Sequence, residues 1–220
     1  MKLFSKKIKT SVGLDIGSSL IKIVEVDHSD EQPVLTRYGI AKLPPEAIVE
    51  GEIMDRSLVI EGIQECMMQS GIEMEDVITA VSGRAVIVKK VVMDKMNPDD
   101  AQEAIFWEAE QHVPFDIDDV CLDFQVLKED VGANQMEILL VAAKKEMVNT
   151  HADLIRDAGY NPVIIDVDSF AVQNAYGESL DAPWTQVTGL INIGSDVTNI
   201  NIVQNHIPLF TRDLSVGSNA

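Results

Sequence analysis

From Val12 to Val26 the chain reads VGLDIGSSLIKIVEV, an apolar run broken by one acid, one glycine, two serines and one lysine. Period-two spacing puts Ile21, Ile23 and Glu25 on one face and Lys22, Val24 and Val26 on the other. With the Gly-Ser break between its halves, the run predicts strand, tight turn, strand. Residues 33–43 predict a third strand, ended by Pro44-Pro45. Asp55 then suits a helix cap, before an apolar stripe of Val59, Ile63, Cys66 and Met67 that stops at Gly71. Residues 76–83 return to strand, so the order of elements is already that of an α/β protein.

The pattern changes character after residue 83. RAVIVKKVVM (84–93) reads as strand, and Asn97-Pro98 supply a cap and a first-turn proline. Asp99 and Asp100 fall where a helix dipole favours anions, and the helix should run to about His112, before Pro114. DVCLDFQVL and QMEILLVAA are strands joined by the polar link KEDVGAN (128–134). A last helix carries Met147, His151, Leu154, Ile155 and Ala158 on one face and stops at Gly159. Strand, helix, strand, strand, helix is a self-contained unit of ordinary small-domain size. Residues 161–177 give a further strand and helix, with Asp168 as N-cap and Gly177 as C-cap, and DAPW (181–184) marks a boundary.

Beyond that boundary the opening pattern recurs. GLINIGSDVTNINIV (189–203) aligns with the first hairpin at a spacing of 177 residues, matching Asp15 with Asn192, Gly17 with Gly194, Ser18 with Ser195 and Ile23 with Ile200. Two copies exclude a solenoid and suggest two hairpins serving one site. A strand, IPLFTRDL, then leads to the small-residue stretch SVGSNA, where the sequence reads as cut.

Composition narrows the class. The formal charge of −19, from 36 acids and 17 bases, disfavours a nucleic-acid partner. The longest notable apolar run, ILLVAA (138–143), is far short of the roughly 18 residues of a membrane span. The basic start MKLFSKKIK has no apolar core behind it, so it reads as a frayed tail or a lipid contact, not a signal peptide. Cys66 and Cys121 read as buried thiols of a reducing compartment, and the four histidines suggest no metal cluster.

A glycine turn brings backbone N–H groups close to a phosphate. Gly17, Ser18 and Ser19 in the first turn, and Gly194, Ser195, Asp196 and Thr198 in the second, are therefore candidate phosphate contacts. Lys22 can neutralise phosphate charge, and Asp15 can hold the waters of a magnesium ion. A single DIGSS reads first as an ordinary hairpin whose acid caps local N–H groups; repetition favours the phosphate site. No G-x-x-x-x-G-K-[ST] or G-x-G-x-x-G is present. Residues 94–123 hold ten acids and one base, Lys95, either a solvated face or a docking surface for a basic segment. Trp107, in FWEAEQHVPF, reads first as a core residue of a capped amphipathic helix.

LDIGSS (14–19), INIGSDVT (191–198) and DVDSFAVQNAYG (166–177) resemble the phosphate motifs and connecting helix of the actin, sugar-kinase and heat-shock chaperone ATPases. AIFWEAEQHVPFDIDDVCLDFQVL (104–127) and VTNINIVQNHIPLFTRDLSVG (197–217) are more specific. They resemble the PilM family of type IV pilus assembly proteins, counterparts of the division protein FtsA, and the likeness spans essentially all 220 residues. It implies actin-like (ribonuclease H-like) α/β lobes with an inserted subdomain. Residues 1–83 with 160–180 would form the first lobe, 84–159 the insert, and 181–220 the start of an incomplete second lobe. It also implies ATP and Mg as cofactors, and Asn192 joins the nucleotide-contact set.

The same resemblance places the protein in the cytoplasm, peripheral to the inner membrane, without a span of its own. Its partner would be the N-terminal cytoplasmic tail of PilN, held in a groove beside the insert, with other platform and motor components and self-association as further contacts. Asp168 corresponds to the residue that orients the attacking water, or is simply an N-cap. Asn192 departs from the acid usual in the wider superfamily, which implies at most slow ATP turnover. The family chain continues beyond Ala220, so half of the nucleotide cleft lies outside this sequence. Two other readings stay open: a small-molecule kinase, for which only Asp166 and Asp168 offer an acceptor base, and a docking module with a vestigial nucleotide site.

Overall fold

The chain is described by a computed structural model over residues 9–49, 51–179 and 185–219. Alternation makes its first sheet. Strands β1 (Thr10–Ile16), β2 (Leu20–Asp27) and β3 (Val34–Lys42) form an antiparallel meander, pairing Leu14 with Ile23 and Ile16 with Ile21. Two dipeptide strands, β4 (Ile48–Val49) and β5 (Glu52–Ile53), form a ribbon that the sequence pattern missed. Strands β6 (Asp76–Val81) and β10 (Asn161–Val167) extend the sheet in parallel, giving the order β10-β6-β1-β2-β3. Three antiparallel strands continued by two parallel ones are the expected ribonuclease H-like sheet of an actin-like α/β fold.

One face of this sheet is buried by helix α1 (Arg56–Ser70), whose Val59, Ile63, Cys66 and Met67 meet Val12, Leu14, Ile21 and Ile23 in a single core. Asp55 caps α1 by accepting from the N–H groups of Ser57 and Leu58, and Gly71 ends it at φ +64. The helix packs close: a Cβ on Gly39 of β3 would lie 2.6 Å from the Cys66 carbonyl oxygen. Glu25, also on the buried face, keeps its carboxylate bonded to Thr36 Oγ1 at 2.7 Å and Arg37 at 3.0 Å.

Contacts divide the chain into two units, residues 1–81 with 152–220, and residues 82–151. In the smaller unit, β7 (Val86–Asp94), β8 (Val120–Gly132) and β9 (Gln135–Lys144) form an antiparallel sheet in the order β7-β9-β8. Helix α2 (Pro98–His112), capped by Asn97, packs Ala101, Ile105 and Ala109 against Val91, Met93, Ile138 and Leu140. The link expected over 128–134 is mostly strand: β8 runs to Gly132, and only Ala133 and Asn134 turn, both at positive φ. A 3₁₀ turn at Ile117–Asp119 precedes β8. Trp107 is not core; the stripe Ala101, Ile105, Ala109 takes the buried face and leaves Trp107 72% exposed. Cys121 likewise is exposed and only Cys66 is buried.

Helix α3 (Lys145–Asp157) sends Leu154 and Ile155 into the core shared with α1, and Ala158, just past its end, joins them. Helix α4 (Asp168–Ser179) begins at Asp168 and runs through Gly177. Gly177 is thus helical and not the expected C-cap. The boundary expected at 181–184, and the basic stretch up to residue 8, lie outside the described residues. Strands β11 (Thr188–Ile193), β12 (Thr198–Gln204) and β13 (Ile207–Leu214) make a second antiparallel meander, with α4 against β11 and β12. In this meander Asn199, Asn201 and Val203 are buried. Asn201 is matched there by polar partners, donating to the Ser169 carbonyl and to Gln173 Oε1 of α4. No helix among the described residues is long and apolar enough to cross a membrane.

Candidate functional site

The two hairpins repeat in backbone detail. Gly17 N–H donates to the Leu20 carbonyl at 3.0 Å, and Gly194 N–H donates to the Val197 carbonyl at 2.9 Å, at the same spacing of 177 residues as the sequence repeat. Both turns are tight at the glycine. A Cβ would lie 3.0 Å from the Leu20 oxygen at Gly17, and 2.8 Å from the Val197 oxygen at Gly194. Asp15 and Lys22 face each other across β1 and β2, as Asn192 and Asn199 do across β11 and β12. Helix α4 contacts β6 and β10 of the first sheet as well as β11 and β12 of the second, so one element braces both hairpin sheets.

In the first hairpin Lys22 Nζ lies 2.8 Å from Asp15 Oδ2, with both side chains about half exposed. Ser18 and Ser19 are half-buried, and their hydroxyls have no hydrogen-bond partner among the described residues. They remain available as donors beside one cation and one anion. Among the described residues no three metal-ligating side chains cluster. One carboxylate with open solvent around it is nevertheless the donor set that a largely hydrated magnesium ion uses. Asp15 fits that role.

The second turn is held by the chain that follows β13, which the sequence pattern left unassigned. Ser218 N–H donates to the Gly194 carbonyl and Asn219 N–H to the Ser195 carbonyl, at 2.9 and 3.1 Å. Gly217 is essential to this strap, because a Cβ there would collide with the Ser195 carbonyl. Thr198 differs from its expected use as a free donor: its hydroxyl donates to the Val216 carbonyl at 2.6 Å. Asp196 accepts from Asn219 Nδ2. Asn192 donates to Asn199, which donates to Asp213. Neither Asn199 nor Asp213 carries a motif signal; only the register of three strands aligns them.

Asp168 opens α4 and has interaction partners of its own. The hydroxyl of its neighbour Ser169 is buried without a partner. Asp166, in β10, accepts from the N–H of Val167 at 2.8 Å.

A separate surface lies on α2. Phe106 and Trp107 are 50% and 72% exposed, and Glu103, Glu108 and Glu110 beside them form no ion pair among the described residues. Two large aromatics on one exposed helical face, ringed by unpaired acids, suit a partner with apolar and basic groups.

Comparison with known proteins identifies the family. The model of a family described as type IV pilus assembly protein PilM matches residues 13–220. A solved structure described as the PilM–PilN type IV pilus biogenesis complex matches with TM-score 0.83 and 31% identity. That match covers 95% of this chain and 62% of the other, so the chain spans only part of that relative. The cytoplasmic domain of EpsL, an inner-membrane component of the type II secretion system of Vibrio cholerae, matches with TM-score 0.56 and 10% identity, over 94% of this chain and 71% of that one. At such identity the likeness is one of fold.

Proposed function

The chain belongs to the type IV pilus assembly protein PilM family, and from that premise we propose an actin-like, nucleotide-binding scaffold that docks the cytoplasmic tail of PilN at the inner-membrane pilus platform. In this reading, residues 1–83 with 160–180 form the first lobe, 84–159 the inserted docking subdomain and 181–220 the opening of the second lobe. The observation that carries the nucleotide half is the duplicated turn, with the same Gly N–H bond at Gly17 and Gly194. ATP would lie with its phosphates against the 17–19 and 194–198 turns. Lys22 would neutralise phosphate charge, and Ser18 and Ser19 would donate their unpartnered hydroxyls. Asp15 would hold waters of magnesium, which supplies charge neutralisation at the phosphates. Asn192 carries no formal charge to activate water, so turnover is slow at most, and Asp168 orients water only if it leaves its present partners.

The docking half is supported by the relative solved with PilN and by the Phe106–Trp107 face. A PilN tail would set an apolar side chain against these rings, with its basic groups over Glu103, Glu108 and Glu110. The aromatics then carry affinity, and the acids mainly association rate and salt sensitivity. Calorimetry on the full-length protein tests both halves. Asp15→Ala and Lys22→Ala should each weaken Mg·ATP binding by at least about tenfold and leave PilN-tail binding intact, whereas Trp107→Ala should do the reverse. Unchanged ATP affinity in both hairpin variants sinks the nucleotide half; unchanged peptide affinity in Trp107→Ala sinks this docking face.

A further inference from the structure

Asn192, Asn199 and Asp213 form a row across three strands, each at the register position opposite the next. Asn192 Nδ2 lies 3.1 Å from Asn199 Oδ1, and Asn199 Nδ2 lies 2.8 Å from Asp213 Oδ1. The row has a direction, and its chemistry dictates which one. A carboxylate only accepts, so Asn199 must turn its NH₂ toward Asp213. That leaves Asn199 Oδ1 facing Asn192, which must answer with its own NH₂, since a flipped amide would set two carbonyl oxygens against each other. Asn199 is only 6% exposed, so water cannot easily replace either partner. Asn192 Oδ1 is the end left over, and it has no partner among the described residues. The first hairpin runs the opposite way: there Lys22 donates to Asp15, the residue equivalent to Asn192.

We propose that Asp213 is a positioning residue which, through Asn199, locks the amide of Asn192 with its carbonyl oxygen turned away from the row. A neutral residue at the acid's position thereby acquires the acceptor half of the missing carboxylate, for a water bound to the nucleotide's magnesium ion. This rests on the reading that the 194–198 turn holds the nucleotide.

The test uses the full-length protein. Side-chain amide NMR without nucleotide should show the Asn192 NH₂ protected from exchange in the wild type and unprotected in Asp213→Ala. ATP affinity is then measured with magnesium and with EDTA. Asp213→Ala should reduce the magnesium-dependent gain on the order of tenfold, with metal-free binding unchanged. Adding Asn192→Asp to that variant should restore the gain, because a carboxylate needs no orienting. An Asn192 amide that exchanges alike in both proteins overturns the relay. So does an undiminished magnesium gain in Asp213→Ala, or a folded double variant (by thermal melt) that recovers nothing. A wild type that binds no ATP in either buffer, with the amide still protected, overturns the nucleotide reading and the ligand role while leaving the row itself intact.

Discussion

Asn199 sits in the second hairpin at the register position that Lys22 holds in the first: Lys22 faces Asp15 across β1 and β2, and Asn199 faces Asn192 across β11 and β12. The repeat thus keeps its backbone and changes its electrostatics by whole pairs. A charged pair at the first turn becomes an amide pair at the second, and the second row's carboxylate, Asp213, lies one strand further on. In the proposed site, the first turn would therefore bring a cation, Lys22, to the phosphates, and the second would bring neutral amides.

This asymmetry separates ligand binding from stability at Lys22. The Lys22–Asp15 pair is half exposed, and such pairs contribute at most about 1 kcal/mol. Lys22→Met should therefore leave the denaturant midpoint nearly unchanged while weakening binding of ATP to the full-length protein. A large drop in midpoint would mean that the lysine is structural.

Gly39 reports how closely α1 packs on β3. A Cβ there would lie 2.6 Å from the Cys66 carbonyl oxygen and 2.9 Å from Ser70 Cβ, atoms of the helix backbone and its base that cannot easily yield. Gly39→Ala should destabilise the protein by about 2–3 kcal/mol. Urea titration measures this, and a loss below about 0.5 kcal/mol would show that the helix can slide away.

Ala133 occupies the left-handed region at φ +53 in the two-residue turn between β8 and β9. Asn134 tolerates such a φ; alanine does not. Ala133→Gly should stabilise the small unit by about 0.5–1 kcal/mol, seen as a raised melting temperature. A lowered one would count against the turn geometry.

The two thiols should behave differently. Cys66 is fully buried under the first sheet, and burial pushes its thiol up from the ordinary range; Cys121 is exposed. A thiol reagent should modify one cysteine in the folded protein and two after unfolding, with Cys121→Ser removing the fast reaction. The linkage sign follows from the raised folded-state value. The contribution of Cys66 is fully present below the unfolded thiol pKa and is lost as pH rises through the folded one. Cys66→Ala should therefore flatten the alkaline end of the stability curve, which pH-dependent melts would show.

Ser169 buries a hydroxyl without a partner beside Asn201. Ser169→Ala should raise stability slightly, since an unpaired buried donor costs about 1 kcal/mol or more. If stability falls instead, the hydroxyl is satisfied in solution by something other than these residues.

Much of the architecture follows from the sequence through short-range rules. Alternation around Ile21 and Ile23, the Asp55 cap, the Val59–Met67 stripe and the glycine ends at Gly71 and Gly159 are each decided within a few residues, by backbone sterics and period. The repeat of Gly17 at Gly194 was equally plain, because a tight turn admits few residues. What periodicity could not decide was which face of an element finds a partner. Trp107 lies outside because Ala101, Ile105 and Ala109 present a smoother stripe to the small sheet. In the second hairpin the polar Asn201 is buried because α4 supplies the Ser169 carbonyl and Gln173 there. The row from Asn192 to Asp213 joins residues about twenty positions apart, through strand register alone. A strand's own sequence sets its alternation; its neighbour, arriving from elsewhere in the chain, sets which side is buried and which side chains meet.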